Sequence, residues 1–121
     1  MISLSHIQRI FLARAAVDMR KQANGLAHVV TAQLDLDPLS GDVFLFLNRH
    51  RSIIKILMWD VSGYWVASKR LELGRFGHRV SATDAKGCVV LSVAEAMNII
   101  EGINVHRATY AQHYGSLPIE K

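Results

Sequence analysis

Between residues 41 and 76, three short runs of strand-forming apolar residues alternate with clusters of turn residues, which leaves few options for how the chain folds. Val43 to Leu47 reads Val-Phe-Leu-Phe-Leu, Ile53 to Trp59 carries three isoleucines, and Tyr64 to Lys69 mixes aromatics with Val and Ala. The first gap is Asn48-Arg49-His50-Arg51-Ser52 and the second is Asp60-Val61-Ser62-Gly63, both rich in residues that favour turns. Runs joined this tightly form an antiparallel meander. If both turns are tight and even-numbered, residue 45 stands opposite 56 and residue 57 opposite 66, and one odd residue in a turn would swap the faces.

This register sorts the side chains onto two faces. One collects Val43, Leu45, Leu47, Ile54, Ile56, Met58, Trp65 and Ala67, an apolar surface that needs a helix laid over it. The other mixes aromatics with cations: Phe44, Phe46, Lys55, Leu57, Trp59, Tyr64, Ser68 and Arg70. Two readings of the mixed face stay open. Either the C-terminal segment covers its rings while the cationic heads reach to water, or the rings form a stacking platform for nucleic acid.

Before the meander, Ile7 to Arg14 has the branched and aromatic content of a strand. Asp18 then stands where a helix N-cap belongs, ahead of an apolar stripe of Met19, Ala23, Leu26, Ala27, Val30 and Leu34 at three- and four-residue spacing. The stripe is expected to cover the apolar face of the meander, with Gly25 marking close approach of the helix to the sheet and Pro38 to Gly41 closing the segment. After Arg70 the chain leaves the sheet through Gly74 and Gly77, and Val80 to Lys86 reads as a polar loop. Gly87 to Leu91 reads as a short edge strand. Ser92 with Glu95 forms a capping-box pattern for a second helix that ends near Gly102, with Val93, Ala96, Met97 and Ile100 as its packing stripe. The expected fold is α+β in the order β-α-β-β-β-β-α, an antiparallel meander sheet with a long helix packed on one face. Residues 1–103 make a single domain and residues 104–121 a loosely ordered tail.

Composition narrows the classes of function. Fourteen Lys and Arg against ten Asp and Glu give a formal charge of +4, which favours anionic partners. Cys88 stands alone, so neither an intrachain disulfide nor a cysteine metal cage is available. No secretory pattern or long apolar run is visible, and a cytoplasmic protein without a membrane span is expected.

Catalytic constellations are scarce in the chain. The six histidines are scattered and no phosphate-binding loop or nucleophile elbow occurs. Asp18, Asp37, Asp42 and Asp60 all fall at caps or turns, where Asp has structural work. Asp60 with Lys69 across a hairpin is the nearest approach to a charged catalytic pair. The expectation is a non-enzyme with no cofactor and no metal. The cations are better placed for binding: Arg49 and Arg51 flank His50 at a hairpin tip, Lys55 lies on the mixed face, and Lys69, Arg70, Arg75 and Arg79 follow one another out of the sheet. These seven are the candidate nucleic-acid-binding residues, each phosphate contact adding affinity and salt sensitivity.

Several ordered blocks also match a pattern. Asp18-Met19-Arg20-Lys21-Gln22-Ala23-Asn24-Gly25-Leu26-Ala27 follows D-x-R-K-x-x-D-G-L-A, and Leu36 to Gly41 gives a Leu-Asp-Pro-x-Ser-Gly turn. Phe44 to Arg49 gives F-x-F-x-N-R, Lys55 to Asp60 gives K-I-L-x-W-D, Gly63-Tyr64-Trp65 follows, and Lys69 to Phe76 gives K-R-L-E-x-G-R-F. Leu91 to Glu95 with Glu101-Gly102-Ile103 completes the series. Over residues 7 to 104 the chain resembles the small accessory proteins, often labelled TnpB or Orf2-like, encoded beside the DDE transposase in insertion sequences of the IS sixty-six type. These are distinct from the RNA-guided nucleases that share the TnpB label. Asn24 replaces the usual Asp, Asp35 stands where Gly is common, and Gly77-His78 replaces a frequent Arg-Trp pair. The resemblance implies a part in transposition alongside the transposase. Two forms of it are open: a DNA-binding factor acting at element ends and associated with the nucleoid when bound, or a module that recruits or stabilises the transposase without touching DNA.

Overall fold

The computed structural model describes residues 9–77 and 87–102. Arg79, the expected loop over residues 80–86 and the expected tail lie outside the described residues. The chain runs β1 (Ile10–Ala13), α1 (Ala23–Ala32), β2 (Val43–Leu47), β3 (Ile53–Asp60), β4 (Gly63–Arg70), β5 (Cys88–Leu91) and α2 (Val93–Glu101), an α+β fold in the expected order.

The hairpin register follows from the turns as anticipated. Leu45 pairs with Ile56 in the β2–β3 hairpin and Leu57 with Val66 in the β3–β4 hairpin. The five strands are ordered β4-β3-β2-β1-β5. The sheet is mixed, not a pure antiparallel meander, because β1 lies parallel to β2, with Ile10 beside Val43. Parallel neighbours require a crossover, and α1 supplies it. β5 closes the far edge antiparallel to β1.

The layering reverses the expected assignment of faces. Leu26, Val29 and Val30 of α1 pack on Phe11, Phe44, Phe46 and Leu57, so the helix covers the aromatic face. The complementarity is one of size: the helix offers small residues such as Ala23 and Ala27, and the rings beneath fill the space. Phe11 and Phe44 stack with ring centroids 5.7 Å apart. Each buried ring contributes about 1.5–3 kcal/mol of transfer free energy, which an exposed stacking platform would forfeit; Phe44 and Phe46 are fully buried. The opposite face, with Leu12, Leu45, Leu47 and Ile54, is covered by Ala96 and Ile99 of α2 together with Phe76 from the segment after β4. With both faces buried, β2 carries no polar face to betray its orientation.

Lys55, on the α1 face, is almost wholly buried, and its Nζ donates to the carbonyl of Lys21 at 2.8 Å. That bond ties the approach to α1 onto β3.

The helix is shorter than expected, spanning ten residues from Ala23, with Gln22 at its N-cap and no side-chain cap. Asp18 instead folds the chain ahead of it: its Oδ1 accepts from the Arg20 amide at 2.9 Å, and its Oδ2 from the Arg20 guanidinium at 2.7 Å. The guanidinium and amide of Arg20 hold the Asp18 carboxyl down to about 2. Gly25 does not approach the sheet. A Cβ there would sit 3.1 Å from Cβ of Lys21, so the glycine makes room for the Lys21 stem. After α1, the amides of Leu34 and Leu36 donate to the carbonyls of Val29 and Val30, and between them Asp35 takes φ +56°. This left-handed conformation suits Gly, and Asp tolerates it better than most residues.

The capping box on α2 forms as read. Ser92 Oγ accepts from the Glu95 amide at 3.0 Å and Glu95 Oε1 from the Ser92 amide at 2.8 Å, bonds that lower the Glu95 carboxyl below its usual range.

Candidate nucleic-acid interface

Strand directions decide which loops share an end of the sheet. β1, β2 and β4 finish, and β3 and β5 begin, at one end. That end holds the Asn48 to Ser52 turn and the segment leaving β4. In the turn, Asn48 Oδ1 accepts from the amides of Ser52 and Ile53 at 2.8 and 3.0 Å, and the Arg51 amide donates to the Asn48 carbonyl at 3.0 Å. Arg51 sits at φ +58°, a conformation that a side chain takes only when its surroundings impose it.

The surroundings are the exit segment. The Leu71 amide donates to the Ser52 carbonyl at 2.9 Å and the Phe76 amide to the Arg51 carbonyl at 2.8 Å. The Arg51 guanidinium closes the ring, donating to the Phe76 carbonyl at 3.3 Å. Phe76, fully buried, anchors this loop in the core. The two basic stretches, Arg49 to Arg51 and Lys69 to Arg75, are thereby stitched into one surface.

The candidate residues have different standing within it. Arg49 and Arg75 are exposed. Arg70 is exposed and 3.5 Å from Glu72. Lys69 is exposed too, but its Nζ donates to the Ile100 carbonyl at 2.8 Å, where a cation favourably meets the C-terminal end of α2. Arg51 is half-buried as the clamp. Lys55, as its bond to Lys21 shows, faces the interior. Sequence reasoning missed Arg14, exposed just past β1, with its amide donating to the Gly87 carbonyl at 3.1 Å. Only the parallel pairing of β1 with β2 brings it to this end, and a hydrophobic pattern does not reveal strand direction.

The other end of the sheet carries acids: Asp42 ahead of β2, Asp60 closing β3, and Glu95 in the first turn of α2. Asp42 is buried, its Oδ2 3.3 Å from Arg9 and its Oδ1 without a hydrogen-bond partner among the described residues. Asp60 accepts from the Trp65 indole at 3.1 Å. The Asp60–Lys69 pairing considered from sequence does not form, since Asp60 lies opposite Gly63 and Lys69 opposite Ile54, at the two ends of the hairpin. Among the described residues no group of three His, Cys, Asp or Glu is placed to hold a metal ion, and no helix is long and apolar enough to cross a membrane. Cys88 is partly buried, and burial pushes its thiol up.

The uncharacterized protein y4jC of Sinorhizobium fredii is 38% identical over 76 residues, 63% of this chain and 65% of that protein. The uncharacterized protein y4hO of the same organism is 33% identical over 96 residues, 79% of this chain and 81% of that protein. No solved structure matches. A family model described as IS66 Orf2-like protein matches residues 8–110, which takes in every element of the sheet, both helices and the basic end, and the chain belongs to that family.

Proposed function

We propose that the chain is a non-catalytic accessory factor in DNA transposition that binds DNA through the basic end of its sheet and acts beside the DDE transposase of the same element. It works in the cytoplasm, associated with the nucleoid while on DNA. The observation that carries this reading is the convergence of Arg14, Arg49, Arg70 and Arg75 at one end of the sheet, with the acids Asp42, Asp60 and Glu95 at the other. Glu72 beside Arg70 and Glu101 at the close of α2 also lie at the basic end, so Arg14, Arg49 and Arg75 are the guanidinium groups best placed to meet a phosphate backbone, whose geometry they suit. Arg51 and Lys69 support this surface while making their own internal bonds. Arg79 extends the same run in sequence.

Fluorescence anisotropy with element-end duplex and with generic duplex, run beside a pull-down with the transposase, tests the proposal. Micromolar or tighter binding to duplex, weakened when Arg49 and Arg75 are changed to Ala, supports it. Retained transposase capture with no duplex binding at low salt refutes it in favour of a recruiting module.

A further inference from the structure

The basic end leaves one long feature unused, the outer edge of β4. This strand is eight residues long and lies at the edge of the sheet, and five of its residues, including Trp65, Ala67 and Ser68, are exposed. Natural sheets guard such edges with charged side chains, proline, bulges or inward charges, and β4 carries its charges, Lys69 and Arg70, only at its C-terminal end. Here the eight pairs to β3 run without a bulge, and Gly63 to Ser68 contains no proline and no charge. β5, at the other edge, offers only four residues.

The two-residue turn at Val61-Ser62 closes on the Asp60–Gly63 pair, which makes that pair hydrogen-bonded. Counting along the strand, the backbone groups of 64, 66, 68 and 70 then point away from β3 to the outer edge, which no other strand among the described residues pairs with. A two-fold axis perpendicular to the sheet pairs two copies of this edge antiparallel and keeps each side chain on its own face. Centred on Ala67, it sets Val66 opposite Ser68, Trp65 opposite Lys69 and Tyr64 opposite Arg70 of the second copy. Each cation then meets an aromatic ring, no like charges oppose one another, and all four outward backbone positions find partners. Trp65, 42% exposed on the α2 face, gains cover from the second copy.

We infer that the outer edge of β4 pairs antiparallel with the same edge of a second copy, centred on Ala67, to give one continuous sheet across a homodimer. The basic ends of the two copies then point in opposite directions.

Sedimentation equilibrium of the unmodified chain is expected to give twice the monomer mass. In a Cys88→Ala background, Ala67→Cys forms a disulfide-linked dimer under mild oxidation, because a non-hydrogen-bonded antiparallel pair brings Cα atoms to about 4.5 Å, within disulfide reach. Val66→Cys links far more slowly, since its counterpart lies diagonally across. Ala67→Asp, which opposes two carboxylates on an exposed position, stays cooperatively folded and is monomeric, and its melting midpoint, unlike the parent's, does not rise with protein concentration. A monomeric parent at high micromolar concentration, a dimeric Ala67→Asp, or Val66→Cys linking as fast as Ala67→Cys overturns the inference.

Discussion

Replacing Arg51 by Ala and, separately, by Gly splits its two roles. The residue sits at φ +58° and its guanidinium donates to the Phe76 carbonyl at 3.3 Å. A hydrogen bond from a charged donor contributes about 1.5–3 kcal/mol when well buried, and at this long, half-buried contact about 1 kcal/mol is the reasonable share. Arg51→Ala loses that bond and keeps the strain, so it destabilises by about 1 kcal/mol. Arg51→Gly loses the same bond but escapes the left-handed penalty of about 1–2 kcal/mol, against which stands an unfolded-state entropy cost of about 0.5–1 kcal/mol. Glycine should therefore be more stable than alanine by about 0.5–1 kcal/mol. Urea unfolding with a common m-value reads this directly, as a higher midpoint for the glycine variant. An alanine variant equal to or more stable than the glycine variant would refute the strained-clamp account of the turn.

Asp35, at φ +56°, makes a parallel case without a clamp: because Asp tolerates this conformation, Asp35→Gly should change stability by no more than about 0.5 kcal/mol, less than the glycine-over-alanine gain at position 51, checked by the urea midpoint. Phe44→Ala should destabilise by about 3–5 kcal/mol, since the ring is fully buried beneath α1, and a loss below about 1 kcal/mol in chemical denaturation would argue for the exposed platform instead. Cys88, its thiol pushed up by burial, carries less thiolate at any pH below its raised value than a free cysteine does. Iodoacetamide at pH about 8 should therefore alkylate it more slowly than a peptide thiol, which titrates near 8.5, and the gap should close in denaturant.

What the sequence disclosed was local. The 45–56 and 57–66 pairings follow once both turns are even-numbered, a parity that the five-residue cluster Asn48 to Ser52 does not itself supply because Asn48 belongs to the ladder, its amide donating to the Ile53 carbonyl. The Ser92–Glu95 box was legible because capping is a contact between neighbours. The reversed faces were not. Val43 to Leu47 is apolar on both sides, and the cations that made one side look solvent-facing include Lys55, whose ammonium is satisfied by a carbonyl in the approach to α1. Asp18 fits an N-cap and an Asx-type turn equally well by residue type, and only the Arg20 contacts choose between them. The basic surface was half legible: its cations were visible, but their union depends on Arg51 reaching Phe76 and on the parallel β1–β2 pairing, both non-local.

The central claim is that the basic end of the sheet meets phosphates. Binding of element-end duplex by the parent and by an Arg14→Ala, Arg49→Ala, Arg75→Ala variant, measured across a salt series, tests it most directly. The three side chains are exposed, so the variant should melt with the parent. Each phosphate contact contributes about 0.9 to the slope of log affinity against log salt, so the slope should flatten by roughly 2–3 and the affinity at low salt should fall for every sequence alike. An unchanged slope and affinity in a normally folded variant would contradict the claim.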